Sequence, residues 1–251
     1  MVVSIAPMTH AQQASNFDNP ISAAIYDQAE GSREDLDHYA AIVEELAAGS
    51  VIDIGCGTGT LAIMLADRGH GVTGVDPAGA MLDVARAKPG AEKVRWVHGT
   101  AEALPTVSSA DLAVMTGNVA QVFVTDEQWL GTLRAIYDAL GPLGYLVFET
   151  RIPERRAWEE WAEWGSSKYH VEGVGTVRDI FEVVDVQEPY VTIRSDNTLP
   201  DGSIVPNEST LIFRSMPELE TTLTAAGFTI REVRDAPDRP GREWVVIAQR
   251  S

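Results

Sequence analysis

The most informative stretch of this chain is Val51-Ile-Asp-Ile-Gly-Cys-Gly-Thr-Gly59, continued by Thr60-Leu-Ala-Ile-Met-Leu-Ala66. Apolar and β-branched residues lead into three glycines at every second position, and a segment with helical apolar spacing follows. This pattern predicts a strand, a tight glycine loop and a helix. Glycine lets the backbone turn sharply and approach a ligand closely, and the free N–H groups at a helix start face that ligand. A nucleotide-like ligand is therefore expected at this loop.

The glycine pattern departs from the fingerprint of dinucleotide-binding units. Those units carry Gly-x-Gly-x-x-Gly, whose third glycine lets the helix pack closely and whose helix start binds a pyrophosphate. Here Gly55 and Gly57 fit, but Thr60 stands where the third glycine is expected, and an extra glycine lies at Gly59. Asp53, just before the loop, would repel a diphosphate and favour a cationic ligand. A ligand with an ammonium and a sulfonium group suits this stretch better.

The stretch resembles the first motif of the class I S-adenosylmethionine-dependent methyltransferases, which reads hydrophobic-Asp-hydrophobic-Gly-Cys-Gly-Thr-Gly. The resemblance extends from about Tyr26 to the end of the chain. It implies an α/β fold: a Rossmann-like, seven-stranded, mostly parallel sheet with the last strand antiparallel, helices on both faces, and a small antiparallel β cap inserted after strand five. It also implies S-adenosyl-L-methionine as the cofactor, bound by loop residues that include Asp53, Gly55, Cys56, Gly57 and Gly59.

An acid ends the next predicted strand. Gly71 to Val75 is short and apolar, and Asp76 follows it, about 20 residues after the first glycines, where an acid accepts hydrogen bonds from ribose hydroxyls in nucleotide-binding units. Pro77 comes next, and Met81 lies in the first turns of the following predicted helix. Both could lie against the adenine ring, although Met81 fits an ordinary core position equally well. The loop and the acid together are more specific than either feature alone.

The segment after the third predicted strand resembles the part of the family that holds the adenine edge, usually Gly-Asp-Ala. In this chain it reads Gly99-Thr-Ala-Glu102. The resemblance makes Thr100, Ala101 and Glu102 candidate cofactor contacts. Thr100 replaces the usual Asp; its hydroxyl can donate or accept a hydrogen bond but carries no charge.

The loop after the fourth predicted strand lies at the same edge of the sheet. That strand runs from Asp111 to Met115, and Thr116 and Asn118 come directly after it. Ligands of open α/β sheets bind at the carboxyl ends of strands, so this loop is expected to border both cofactor and acceptor. Asn118 also fits a turn position. The loop lacks the Asn-Pro-Pro-aromatic sequence of the related enzymes that methylate amino groups of nucleic acids, which disfavours a DNA base as acceptor.

Two helices are predicted before the glycine loop. Apolar residues recur at helical spacing from Ile21 to Ala48, with a break near Gly31-Ser32. In the resembled family such leading helices often lie over the cofactor, which makes Tyr26 a candidate contact, although packing fits an aromatic residue at this spacing as well. The catalytic residues are unknown from the sequence.

A general base is optional for methyl transfer from a sulfonium, because the donor is already activated and alignment supplies much of the rate. His38 and His170 are the weak candidates for such a base. The five histidines are scattered, without the paired spacing of zinc sites. No metal site is therefore expected.

The composition limits the partners and the compartment. The chain has 251 residues, 45% of them hydrophobic, and a formal net charge of -18, so it can bury a core and is poorly suited to a phosphate backbone. Its one cysteine, Cys56, excludes an internal disulfide and fits a reducing compartment. No apolar run reaches the roughly 20 residues of a membrane span, and the first residues lack the features of a secretory signal. We expect a cytoplasmic protein, monomer or homodimer, without nucleic-acid or membrane partners.

The chain is predicted to divide into four parts. Residues 1–20 are expected to form a flexible N-terminal tail, residues 21–150 the leading helices and the cofactor-binding Rossmann-like core, residues 151–214 an inserted α+β cap, and residues 215–251 a helix and strand hairpin that complete the core. The cap is predicted from a helix with Trp158, Trp161 and Trp164 on one face and three β-rich segments after it. The resemblance implies that it covers the acceptor pocket. The tryptophans fit an aromatic or apolar acceptor, or a dimer face.

These features favour an S-adenosylmethionine-dependent methyltransferase that acts by direct displacement on an O or N atom of a small molecule. One alternative is a nicotinamide-dependent oxidoreductase built on a similar βαβ unit, which Thr60 and Asp53 disfavour. The other is a non-catalytic S-adenosylmethionine-binding protein, supported only by the lack of an obvious base.

Overall fold

A computed structural model describes residues 17–30, 33–105 and 109–251 of the chain. The expected tail before residue 17 and the expected break at Gly31-Ser32 lie outside the described residues. The division into four parts remains a prediction.

Helices and strands alternate through the first part of the chain. The helices are α1 (Pro20–Glu30), α2 (Asp35–Glu45), α3 (Thr60–Asp67), α4 (Gly79–Ala87), α5 (Asp126–Ala139), α6 (Ala157–Trp161) and α7 (Met216–Ala225). The strands are β1 (Ser50–Ile54), β2 (Gly71–Asp76), β3 (Val94–His98), β4 (Ala110–Met115), β5 (Leu140–Arg151), β6 (Ser166–Val171), β7 (Gly175–Gln187), β8 (Tyr190–Thr198), β9 (Ile204–Ile212), β10 (Phe228–Asp235) and β11 (Glu243–Arg250). The predicted strand, glycine loop and helix therefore correspond to β1, the loop and α3.

Seven strands form the main sheet, in the order β10-β11-β5-β4-β1-β2-β3. The five strands β1 to β5 pair in parallel, whereas β11 runs antiparallel to both β5 and β10. This confirms the predicted Rossmann-like sheet with an antiparallel last strand. The strand order reverses between β1 and β4, and ligands of doubly wound sheets bind at such a switch point.

Both faces of the main sheet are covered by helices. On one face, Trp129 and Leu133 of α5 and Leu223 of α7 pack in a buried apolar cluster with the sheet. On the other face, Leu36 of α2 and Leu65 of α3 belong to a second cluster. Because the central strands are buried on both sides, their sequences read as nearly continuous apolar runs.

Strands β6 to β9 form a second, antiparallel sheet, which we call the cap sheet. Three β-rich segments were expected here, and the structure adds a fourth strand, β6, which the sequence analysis missed. Its sequence, Ser166-Ser-Lys-Tyr-His-Val171, is largely exposed and holds few apolar residues, so it lacked the alternating pattern that predicts a strand. A turn from Leu199 to Ser203 joins β8 to β9, and the Leu199 N–H donates to the Ser203 carbonyl at 2.8 Å.

The tryptophan-bearing helix is shorter than predicted, and the expectation that it carries three tryptophans on one face was wrong. Helix α6 ends at Trp161, and Trp164 lies beyond it with 62% of its surface exposed. Gly165, with φ +64°, turns the chain into β6. Trp158 and Trp161 are buried against Phe213, so these two rings fill the interior of the cap.

Candidate functional site

The glycine loop owes its shape to left-handed backbone at Gly55, Gly57 and Gly59, with φ of +70°, +52° and +78°. The N–H groups of Gly55 and Cys56 both donate to the carbonyl of Val75, at 2.8 and 3.1 Å. These bonds tie the loop to the end of β2. A side chain with a Cβ atom would be strained at each of the three glycines.

The Trp96 ring of β3 packs against the glycine loop at Gly59 and against β2 at Gly74. A Cβ atom at Gly59 would lie 2.4 Å from the Cη2 atom of Trp96, and one at Gly74 would lie 2.7 Å from its Cζ3 atom. The indole nitrogen donates to the carbonyl of Ala91 at 3.0 Å. Gly59 therefore packs against the Trp96 ring of β3, which lets the loop lie close to the sheet.

Thr60, which occupies the place of the third fingerprint glycine, joins the loop to the end of α4. The ammonium of Lys88 donates to the hydroxyls of Thr58 and Thr60, at 3.1 and 3.2 Å. The departure from the dinucleotide pattern thus has a structural role in this chain.

Asp76 accepts two backbone hydrogen bonds. Its Oδ2 atom accepts from the N–H of Gly57 at 2.8 Å and its Oδ1 atom from that of Ala78 at 2.8 Å. The side chain is buried, and burial raises the pKa of this carboxyl against the opposing effect of the two N–H groups. A carboxylate oxygen has two lone pairs, so each oxygen can accept one further hydrogen bond.

Asp53 lies at the end of β1 and is 1% exposed. Its Oδ1 atom is buried and has no hydrogen-bond partner among the described residues. Burial, aided by the neighbouring Asp76 carboxylate, raises the pKa of Asp53 to about 7, while Arg33 acts in the opposite direction. A buried, unpartnered carboxyl at a sheet edge is costly unless a cation or a donor reaches it.

An open cleft with a cavity volume of about 150 Å³ lies beside the loop. Its walls include several predicted residues: Tyr26, Gly55, Gly57, Asp76, Pro77 and Met81. Residues that the sequence analysis did not select complete the lining: Phe17, Ala78, Gly117, Val119 and Val122. The apolar side chains in this second group carry no chemical signal in the sequence. Only their places before α1, after β2 and after β4 could have pointed to them.

Two smaller cavities adjoin this cleft. The first is lined by Asp53, Cys56 and Thr116 together with Arg33. The second is lined by Thr100 and Ala101, and it shares Gly55, Pro77 and Val119 with the main cleft. The structure therefore brings most of the predicted site residues to one continuous region at the carboxyl edge of the sheet.

Gly59, Glu102 and Asn118 are the predicted residues that line none of these three cavities in the described part of the chain. Glu102 is exposed, with its carboxylate close to Gly131 of α5. Asn118 is buried and has φ +59°, so it occupies the turn position that its sequence context allowed.

Asn118 is held by two buried glutamates that the sequence analysis missed. Its backbone N–H donates to Glu149 Oε1 at 2.9 Å and its side-chain amide donates to Glu243 Oε2 at 3.3 Å. Burial raises the pKa of Glu149. Arg239 pairs with Glu243 at 2.8 Å, and Tyr39 donates to Glu149. An acid near the end of a predicted buried strand was the available signal for Glu149.

The thiol of Cys56 is not set up as a nucleophile. Burial raises its pKa well above the usual value, and the carboxylates of Asp53 and Asp76 act in the same direction. The sulfur lies 3.0 Å from the position of a Cβ atom at Gly74, so the thiol fills the space beside β2.

Neither candidate histidine lines the three cavities. His38 packs beside Tyr39 on α2, with 5.6 Å between ring centroids, and burial and Arg234 lower its pKa. His170 is exposed on β6, between two residues that face α1. Within the described ranges, no group of three or more potential ligand side chains could hold a metal ion. None of the described helices combines the length and apolarity needed to cross a membrane.

A family described as a methyltransferase domain matches residues 51–144, from β1 to the start of β5. A protein of Geobacillus sp. (strain WCH70) named as a methyltransferase is 30% identical over 145 residues, which is 57% of each chain. The chain spans about half the length of the curated relatives it matches.

Two solved structures share the fold over nearly the whole chain. The CcbJ methyltransferase from Streptomyces caelestis has a TM-score of 0.72 at 22% identity, covering 98% of this chain and 100% of that one. CalS10, an amino pentose methyltransferase from Micromonospora echinaspora solved with S-adenosylmethionine bound, has a TM-score of 0.70 at 21% identity, covering 92% and 97%. At these sequence identities the likeness shows a shared fold and nothing further.

Proposed function

We propose that this chain is a class I S-adenosylmethionine-dependent methyltransferase, which transfers the methyl group of S-adenosyl-L-methionine to an N or O atom of a small molecule. The observation that carries the proposal is the unpartnered, buried Asp53 oxygen beside the glycine loop. A cationic amino group is the partner that this carboxylate lacks.

The residues present fit the proposed cofactor. A Cβ atom at Gly57 would have its nearest neighbour at 3.9 Å, and one at Gly117 would have none within 4 Å, so the backbone is open where a ligand would approach. Asp53 would hold the ammonium group, and the remaining lone pairs of Asp76 would accept from the ribose hydroxyls. Pro77, Met81, Thr100 and Ala101 would surround the adenine.

S-adenosyl-L-methionine supplies a methyl group already activated on a sulfonium when it is bound. The work of the protein is then to align the acceptor and to exclude water. We therefore propose a direct displacement, in which the aligned acceptor atom attacks the methyl group.

The acceptor is proposed to lie between the glycine loop and the cap sheet. Val122 supports this placement, because it lines the cleft and also packs against the apolar cluster of the cap. One structural neighbour is an amino pentose methyltransferase, which favours a hydroxylated acceptor with an amine. Trp158 and Trp161 are buried in the cap, which does not favour the aromatic acceptor considered from the sequence.

Calorimetric titration of the purified chain with S-adenosyl-L-methionine, and separately with NAD, tests the proposal. We expect binding of the former alone, and a clear loss of affinity in Asp53→Asn, whose amide carries no charge to pair with an ammonium group. Asp138→Asn, the same change at an exposed position of α5, is the matched control and should bind normally. Binding of NAD in place of S-adenosyl-L-methionine would support the oxidoreductase alternative and end the present proposal.

A further inference from the structure

The cap sheet has one face that meets the main domain at two apolar contacts. At the first, Val171 and Val177 pack with Ile25 of α1. At the second, Val191 and Leu211 pack with the tryptophans of α6 and with Val122. Cross-strand partners share a face of a sheet and residues two apart along a strand do so as well, so the register identifies every other residue on this inner face.

Between the two apolar contacts, the inner face carries several polar residues beside Phe181 and Val205. The register pairs Asp179 with Asn197 and Phe181 with Ser195, and it pairs Ser195 with Asn207. Tyr169 pairs with Val177, one of the residues that contact α1. We call Tyr169, Asp179, Ser195, Asn197 and Asn207 the cap strip.

The members of the cap strip are partly connected to one another. Ser195 Oγ donates to Asp179 Oδ1 at 2.5 Å, and the Tyr169 hydroxyl donates to Asn197 Oδ1. Burial, together with Asp179, raises the pKa of Tyr169 to about 12, so this hydroxyl keeps its proton. The Oδ1 atom of Asn207 is buried without a hydrogen-bond partner among the described residues. An acceptor of this kind calls for a donor from outside the sheet.

The charge of the strip is set by the same register. The lysine and arginines of the four strands, Lys168, Arg178 and Arg194, all fall on the opposite face, because Lys168 pairs with Arg178 and Arg178 lies one position from Asp179. Asp179 is therefore the charged residue of the strip. A face with hydroxyls, amides and one carboxylate favours uncharged or cationic polar groups and repels anions.

The two apolar contacts that flank the cap strip each involve an element that lines the cleft. One flanking contact is made by Ile25, next to the cleft residue Tyr26, and the other involves the cleft residue Val122. The strip therefore lies between a contact with α1, the helix that carries Tyr26, and a contact with Val122, and both Tyr26 and Val122 line the cleft. Beside it, the exposed ring of Trp164 lies 5.2 Å from Phe181, which offers an apolar surface to the carbon face of a ring.

We infer that the cap strip recognises the acceptor, and that this acceptor is a small hydroxylated compound with an amino group and no negative charge. The inference rests on the proposed methyl transfer and adds the residues that select the acceptor. Asp179 accepts from the amino group, while Tyr169, Asn197 and Asn207 bind hydroxyl groups. These are specificity residues, distinct from those proposed to hold the cofactor.

Saturation-transfer NMR on the chain saturated with S-adenosyl-L-homocysteine tests this inference with three probes. D-glucosamine has the inferred chemistry, D-gluconate has hydroxyls with a negative charge, and tyramine is an aromatic amine with one hydroxyl. We expect glucosamine to bind best and gluconate not to bind. Asp179→Asn and Tyr169→Phe should each weaken glucosamine binding by about tenfold, the effect of one hydrogen bond to a polar or charged group.

Glu182→Gln is the matched control, since Glu182 is exposed and pairs with Arg194 on the opposite face; it should bind glucosamine as the wild type does. Titration with S-adenosyl-L-methionine separates the two proposals: a wild-type chain that does not bind it counts against methyl transfer, whereas strip variants should bind it normally. The inference is overturned if tyramine or gluconate binds as well as glucosamine, if no hydroxylated probe binds at millimolar concentration, or if Asp179→Asn binds like the wild type.

Discussion

The Tyr39 hydroxyl donates a hydrogen bond to the carboxylate of Glu149, which joins α2 to β5 in the interior. The second oxygen of Glu149 accepts the backbone N–H of Asn118 at 2.9 Å. Tyr39 is 2% exposed and Glu149 is 4% exposed, so water does not replace either bond. Through Glu149, helix α2 therefore fixes the turn at Asn118, which borders the cleft.

Tyr39→Phe should destabilise the chain by about 1–3 kcal/mol, because it leaves a buried Glu149 oxygen without its donor. Urea unfolding followed by circular dichroism measures this. Tyr137→Phe is the control: its hydroxyl makes an exposed 3.4 Å contact with Ser251 and its loss should change stability little. Equal effects of the two substitutions would contradict the assigned role of Tyr39.

The Asp53 carboxyl should make the free energy of unfolding depend on pH. Its pKa is raised from 3.8 to about 7 by burial and by Asp76, so the folded chain holds a proton that the unfolded chain releases. The stabilisation from this group is therefore complete below about pH 4 and is lost as the pH rises toward 7. Asp53→Asn should flatten this decline and exceed the wild type in stability at neutral pH and above.

Unfolding of both chains across this pH range checks the prediction. Burial also raises the pKa of Asp76, so part of the decline should persist in the variant. Parallel profiles for the two chains would show that Asp53 keeps its ordinary pKa.

Asp76→Ala should weaken binding of S-adenosyl-L-methionine by about 1–3 kcal/mol, the range for leaving hydrogen-bonding groups unpaired. The substitution also frees the N–H groups of Gly57 and Ala78, so stability should fall as well. Calorimetry and urea unfolding measure the two effects separately. Unchanged affinity would refute the proposed contact of Asp76 with the ribose.

Gly59→Ala should destabilise the chain by about 2–4 kcal/mol, because its Cβ atom meets Trp96 at 2.4 Å in addition to the cost of left-handed backbone. Gly202→Ala isolates the second cost: it has φ +85° and nothing within 4 Å of the added atom, so about 1–2 kcal/mol is expected. Thermal unfolding of the two variants gives the comparison. A Gly59 variant no less stable than the Gly202 variant would argue against the Trp96 contact.

Trp161 and Trp164 of the cap should differ strongly in their contribution to the free energy of unfolding. Trp161 is 6% exposed and Trp164 is 62% exposed. We expect Trp161→Ala to cost about 3–5 kcal/mol, as for a large buried aromatic residue, and Trp164→Ala to cost less than about 1 kcal/mol. Denaturant unfolding distinguishes the two, and a large loss of stability in Trp164→Ala would contradict its exposed position.

The main sheet could be predicted from the sequence because its signals are local. The apolar run before Gly55 and the acid at Asp76 each depend on a few neighbouring residues, and strand, turn and helix follow from them. Resemblance to a known family then supplied the number of strands and the antiparallel direction of the last one. Most predicted cofactor residues lie in one region for the same reason.

The features that the sequence did not predict depend mainly on contacts between residues that are distant in the chain. Glu149 and Glu243 are far apart in sequence, and only the antiparallel pairing of β5 with β11 brings them to Asn118. The tryptophan helix was overextended because helical spacing continues in the sequence through Trp164, whereas the helix itself ends at Trp161. The sequence of β6 was too polar to show a strand that pairing with β7 stabilises.

The cap strip is drawn from one continuous segment, between Tyr169 and Asn207, whereas the glycine loop and Asp76 lie in the first third of the chain. Substitutions can therefore accumulate in the cap strip without changing the residues proposed to bind the cofactor. A lineage that keeps the donor site could acquire new acceptors by exchanging this insertion alone, and a laboratory graft of residues 151–214 between homologues would follow the same route.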